Sequence, residues 1–296
     1  MLVRLRGIRR TKIIVGEKQM GKFVEVHGYK NFVYCYGQGS ITLVLLSGSG
    51  VPFPSLEYKT LAKALAKTYQ VIGIEKLGYG RSDLTENNRD IDVVVHEYRS
   101  VLQKLGINSP IVLVAHSMGF LEALRWGQQY PFEIAGILGV DPATPDCYRE
   151  FDVEGATKKL KEMSADVVCR KTTASALVEQ FLKEQKISEK EKNEIEDLAF
   201  RNLANQNWIS EAENLRNAIG LVEQNNPYLQ IPMLFFLSNG EGTTLKKESW
   251  IKYALQYLDK IRGSQYELFD FPHNLYKFVY QEIAQLSRNF ISKHIE

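Results

Sequence analysis

The sequence predicts an α/β fold, a mostly parallel sheet flanked by helices and carrying an inserted helical cap. Three observations carry this expectation. Seven short apolar runs rich in β-branched and aromatic residues recur along the chain. Helix-period segments separate the later runs, and strand-helix alternation is the signature of a parallel sheet covered on both faces. The alternation then breaks between about Pro142 and Gln224, where the chain turns rich in lysine and glutamate and no convincing strand appears.

In order, the strand candidates are FVEVHG (23–28), FVYCYG (32–37), ITLVLLS (41–47), QVIGIE (70–75), PIVLVAH (110–116), IAGILGVD (134–141) and IPMLFFLS (231–238). The helical candidates are LEYKTLAKALAKTY, DIDVVVHEYRSVLQKLG, MGFLEALRWGQQY, KKESWIKYALQYLDKI and NLYKFVYQEIAQLSRNFISKHI. The expected organisation is a discontinuous core, 1–141 and 225–296, with 142–224 folded above the sheet edge as a lid.

Composition narrows the function. With 44% hydrophobic and 24% charged residues the chain is globular rather than disordered. A net charge of +2, from 37 cations and 35 anions, provides no concentrated basic face for nucleic acid, so a small molecule is the expected partner. The three cysteines, Cys35, Cys147 and Cys169, form neither a disulfide framework nor a zinc pattern, which suits a reduced, cytoplasmic compartment and predicts no metal. No apolar stretch is long enough for a transmembrane span, and the first residues lack a secretory-signal pattern. Arg4, Arg6, Arg9, Arg10 and Lys12 suit a solvated tail, with weak contact to an anionic membrane surface, or a tail that follows an anchor absent from this chain, as the alternatives.

The chemistry begins at IVLVAHSMGFLEAL (111–124), where a polar His116-Ser117 pair stands between a buried strand and a helix. A strand-turn-helix of this kind is a nucleophile elbow, which lifts a serine hydroxyl clear of the sheet at the amino end of a helix. The strand and helix backbones pass close there, so small residues are needed two positions either side; Ala115 and Gly119 meet that need.

On this motif the sequence resembles the α/β-hydrolase fold superfamily, from about Gly21 to His294. LLSGSGVPFPS (45–55) stands where that family carries its His-Gly turn, here Ser47-Gly48, and GYGRSD (78–83) is similar to its R-G-x-G-x-S loop. The resemblance implies Ser117 as nucleophile, with backbone N–H groups of Ser49 and Met118 as the oxyanion hole.

A serine hydroxyl needs a base held in one tautomer by a carboxylate. Of five histidines, His27 precedes the alternating core, His96 lies in a helical stretch, His116 points elsewhere in an elbow, and His294 ends the chain. His273, before the final helix in YELFDFPHNLYKF, stands where the superfamily places its base. For the acid the resemblance favours Glu241, after the seventh strand, with Asp141 at the end of the sixth as the alternative.

The expected activity is therefore a serine hydrolase acting on an ester-type carbonyl without a cofactor. Serine at the elbow argues against the dehalogenases and epoxide hydrolases of the superfamily, which use aspartate there. Serine-dependent carbon-carbon hydrolases, aminopeptidases and a non-catalytic binding protein of the same fold remain alternatives. The lid aromatics Tyr148, Phe151, Phe181 and Trp208 are assigned no binding role, because aromatics at helical spacing more often pack a core.

Overall fold

A computed structural model describes residues 20–108, 110–183, 189–243 and 245–295. The basic run from Arg4 to Lys12 lies outside the described residues. The chain opens with an antiparallel hairpin, β1 (Met20–Val26) and β2 (Tyr29–Tyr36). Next come β3 (Thr42–Leu46), two short helices α1 (Pro54–Glu57) and α2 (Lys59–Leu65), β4 (Gln70–Ile74) and α3 (Ile91–Lys104). Strand β5 (Ile111–Ser117) leads into α4 (Gly119–Gln129), and β6 (Ile134–Pro142) follows.

Among the described residues the sheet has eight strands in the order β1-β2-β4-β3-β5-β6-β7-β8, with β7 (Met233–Leu237) and β8 (Gln265–Leu268) last. All pairings from β4 onward along this order are parallel, whereas β2 meets β1 and β4 antiparallel. The central strands are apolar on both faces because helices cover both. In β5, Ile111, Leu113 and Ala115 face one core, and Val112 and Val114 face the other. The first core holds α3 and α4 together with α9 (Lys247–Leu258), and the second holds α2 and α10 (Tyr280–His294).

Among the described residues four α-helices lie between β6 and β7: α5 (Val153–Ala165), α6 (Val167–Leu182), α7 (Glu189–Asn202) and α8 (Gln206–Gln224). Asp152, Asp166 and Asn205 cap the starts of α5, α6 and α8 by accepting backbone N–H groups. Helix α8 belongs partly to the main body, since Leu215, Ala218 and Val222 pack into the first core.

Three elements depart from the sequence expectation, the first being LEYKTLAKALAKTY, which is split at Tyr58 into α1 and α2. Strand β8 carries no signal in the sequence: all four of its residues are exposed at the sheet edge, so no alternating buried face marks it. The last helix starts at Tyr280 rather than near Asn274, because residues 275–277 form a separate 3-10 turn.

Candidate active site

The elbow is built as its sequence requires. Ser117 ends β5 at φ +51°, a left-handed conformation that a side-chain-bearing residue adopts only under surrounding constraint. Gly119 opens α4 against the end of β3. A Cβ added there would stand 2.9 Å from the carbonyl oxygen of Leu46 and 3.0 Å from that of Ser47. Gly48 is equally confined, because its Cβ would lie 2.9 Å from both Ser117 Cβ and His116 Nδ1. The SGSG loop is thus pressed directly onto the elbow.

Strand β6 pairs beside β5, with Ser117 in register with Pro142. Asp141, the residue before, is fully buried and is itself at φ +46°. Its Oδ2 lies 2.5 Å from His273 Nδ1. Its Oδ1 accepts the Ser238 backbone N–H at 2.8 Å and Trp250 Nε1–H at 2.9 Å. Three donors therefore fix this carboxylate, and one is the imidazole it orients. Trp250 also sets its ring perpendicular to His273, with centroids 5.3 Å apart.

The preference for Glu241 as the carboxylate on His273 is corrected by this geometry. Glu241 is exposed, and what it gives His273 is its backbone carbonyl, which accepts the His273 N–H at 2.7 Å. The turn after β7 holds the loop of His273 through its main chain, while the carboxylate on its imidazole comes from the neighbouring strand. Ser238 and Trp250, which complete the shell of Asp141, carry no sequence signal of that role.

Ser117, Met118, Ser49 and His273 line one cavity of about 220 Å³. Its other walls are mainly apolar, including Tyr148, Phe151, Leu160, Leu215 and Leu245, and among the described residues none that lines it carries a fixed charge. Two of the four lid aromatics thus reach the cavity. Phe181 and Trp208 pack instead in a separate cluster with Phe53 and Tyr79.

Among the remaining histidines, His27 and His96 stack on each other and His294 lies 3.0 Å from Gln265. His116 is nearer the site than expected: it is buried, and its ring centroid is 4.7 Å from that of His273. Burial, and then the proximity of His273, hold its imidazole well below the usual histidine range, so it is neutral. Among the described residues no three His, Cys, Asp or Glu side chains are grouped as metal ligands, and no helix is long and apolar enough to cross a membrane.

Residues 41–245 match the family model described as alpha/beta hydrolase fold, a span that contains both the elbow and Asp141. The chain belongs to the α/β-hydrolase fold family. It is 36% identical over 141 residues to uncharacterized protein YbdG of Bacillus subtilis strain 168, an alignment covering 48% of this chain and 43% of that protein. The chain thus spans less than half the length of such curated relatives. Among solved structures it resembles an esterase from Exiguobacterium antarcticum, with a TM-score of 0.66 at 18% identity, covering 92% of this chain and all of that one. A putative epoxide hydrolase from Pseudomonas aeruginosa is similar with a TM-score of 0.70 at 15% identity, covering 93% and 96% of the two chains. At such identities the likeness concerns the fold.

Proposed function

We propose that this α/β-hydrolase is a serine hydrolase that cleaves an ester-type carbonyl through an acyl-enzyme. The observation that carries the reading is the pairing of a strained Ser117 with His273 in one cavity, the latter anchored through Nδ1 to buried Asp141. With Nδ1–H committed to the carboxylate, Nε2 of His273 is the free base.

In the acylation step Nε2 takes the proton of Ser117 Oγ as the oxygen bonds to the carbonyl carbon. The carbonyl electron pair moves onto oxygen, and N–H groups of Ser49 and Met118 receive that charge, the latter at the positive end of α4. The proton then passes to the departing alkoxide. Water repeats the sequence on the acyl-enzyme, returning free serine and a carboxylic acid. Asp141 orients the imidazole and stabilises its cationic form without itself taking the proton from it.

An epoxide-opening reaction through an alkyl ester needs a carboxylate nucleophile, and Ser117 cannot provide one. The cavity walls favour an uncharged, apolar substrate group. An engineered apolar cavity of about 150 Å³ accepts benzene, so 220 Å³ suits roughly nine heavy atoms. Val153, Ala156 and Leu160 line it from one face of α5, so the helices between β6 and β7 act here as a cap that forms the wall of the substrate pocket.

A fluorophosphonate probe tests the assignment. It should label the protein at Ser117 and leave Ser117→Ala unlabelled. Nitrophenyl esters should be turned over best at intermediate acyl length. Absence of both labelling and ester turnover in the folded protein would refute the reading.

A further inference from the structure

Behind the cavity, a chain of hydrogen bonds joins three segments that are remote in sequence. The backbone N–H of Gly48 donates to Tyr58 Oη at 3.3 Å, Tyr58 Oη lies 2.9 Å from His116 Nδ1, and His116 Nε2 lies 3.3 Å from the carbonyl oxygen of His273. Tyr58 is 2% exposed and His116 is 7% exposed.

The direction of every hydrogen follows from the end groups. A carbonyl oxygen only accepts, so His116 carries its proton on Nε2 and donates it to His273. Its Nδ1 then has a lone pair, which accepts from the Tyr58 hydroxyl. A hydroxyl that donates there keeps its lone pairs for the Gly48 N–H. Neutral His116 thus has one tautomer, and the chain has one polarity.

Packing holds the donors in place. Tyr276 lies against both rings, with centroids 4.8 Å from Tyr58 and 4.9 Å from His116. Its hydroxyl donates to Glu57 Oε1 at 2.9 Å, and Lys277 Nζ sits 2.6 Å from the same oxygen. Each residue of this brace therefore touches a segment of the proposed site without lining the cavity itself: the SGSG loop through Gly48, the elbow through His116, and the base loop through the His273 carbonyl.

We infer that Tyr58 and His116 are positioning residues, a two-side-chain brace that sets the SGSG loop and the base loop in register across Ser117. The inference rests on the serine hydrolase reading. If the oxyanion donor on that loop and the imidazole on the other must converge on one substrate, an error of about 1 Å in their relative placement costs on the order of 100-fold in turnover. The brace fixes that placement through groups that never meet the substrate.

The test is a double-mutant cycle on the full chain with Tyr58→Phe and His116→Leu. Tyr58→Phe keeps the ring packing and removes only the hydroxyl. Each single variant should lower kcat for a nitrophenyl ester by about 10- to 100-fold with KM changed by less than about twofold, and slow fluorophosphonate labelling in parallel. The double variant should be no worse than the poorer single one, because either change breaks the same chain. Thermal melts in the same buffer show that the assayed protein is folded. A folded Tyr58→Phe with wild-type kcat and labelling rate, or losses that multiply in the double variant, would overturn the brace. Failure of wild-type labelling would instead overturn the hydrolase reading, so the two failures are told apart.

Discussion

Asp141 and Glu122 are both carboxylates shut away from solvent close to Ser117, one ending the neighbouring strand and the other in the first turn of α4. Their partners differ in kind. Asp141 is held by two neutral donors and one imidazole that opens onto a cavity of about 220 Å³. Glu122 meets a buried cation, with its Oε1 2.8 Å from Lys76 Nζ, and accepts the Tyr98 hydroxyl at 3.0 Å. Lys76 also contacts Glu211 of α8 at 3.1 Å, and the cavity beside this group is about 30 Å³, space for one or two waters.

The contrast shows what separates a carboxylate suited to chemistry from one that fastens elements together. A titratable partner facing a substrate-sized space lets charge appear and disappear during a reaction. A permanently charged partner with nowhere for a substrate to sit ties the segment after β4 to α4 and α8. Burial alone would lower the Lys76 ammonium, but Glu122 and Glu211 outweigh it and push it above the ordinary lysine range. The Glu122 carboxyl, for its part, is raised by burial despite the attraction of Lys76.

The sharpest way to break this comparison is at the imidazole. His273→Ala should reduce kcat by on the order of 10⁶-fold while the melting temperature stays near that of the wild type, as measured by ester hydrolysis and calorimetry. Next in size, Asp141→Asn should cost about 10⁴-fold in kcat through loss of the correct tautomer. Glu241→Gln should stay within about twofold, because only its backbone touches His273. The reverse ranking of these two variants would return the acid to the turn after β7.

On the structural side of the comparison the expected loss is in stability. Lys76→Met leaves two buried carboxylates without their cation, an unfolding penalty of about 3–5 kcal/mol at pH 7 by denaturant titration. The penalty should shrink as pH falls. A carboxyl whose folded value is raised costs stability while ionised and is relieved as pH drops through that value, and removing Lys76 raises Glu122 further. A loss that grew toward pH 5 would contradict the assigned charges. A smaller effect, with only Glu241→Gln nearer to neutral, is expected for Trp250→Phe, which removes one of three donors on Asp141 and should lower kcat roughly tenfold, about 1.4 kcal/mol in the transition state.

The legible parts of the site are those whose constraints are local. The elbow could be read because Ser117, Ala115 and Gly119 stand within a few residues of one another and the close approach of strand to helix demands small neighbours. The parallel sheet could be read because its central strands are continuous apolar runs. Strand β8 could not, since an edge strand exposed on both faces carries no pattern. Nor could the lid aromatics be sorted, because Tyr148 and Phe151 reach the cavity while Phe181 and Trp208 pack apart from it, a difference of helix placement rather than composition.

By itself the sequence determined the family's strand-helix order and placed a serine at a turn only a special backbone can make, because periodicity and local sterics are written along the chain. Which carboxylate meets His273, and that His116 lies behind it rather than apart from it, were decided only by the folded structure. Those choices depend on how strand ends and loops more than a hundred residues apart come together, and packing, not spacing, sets that distance.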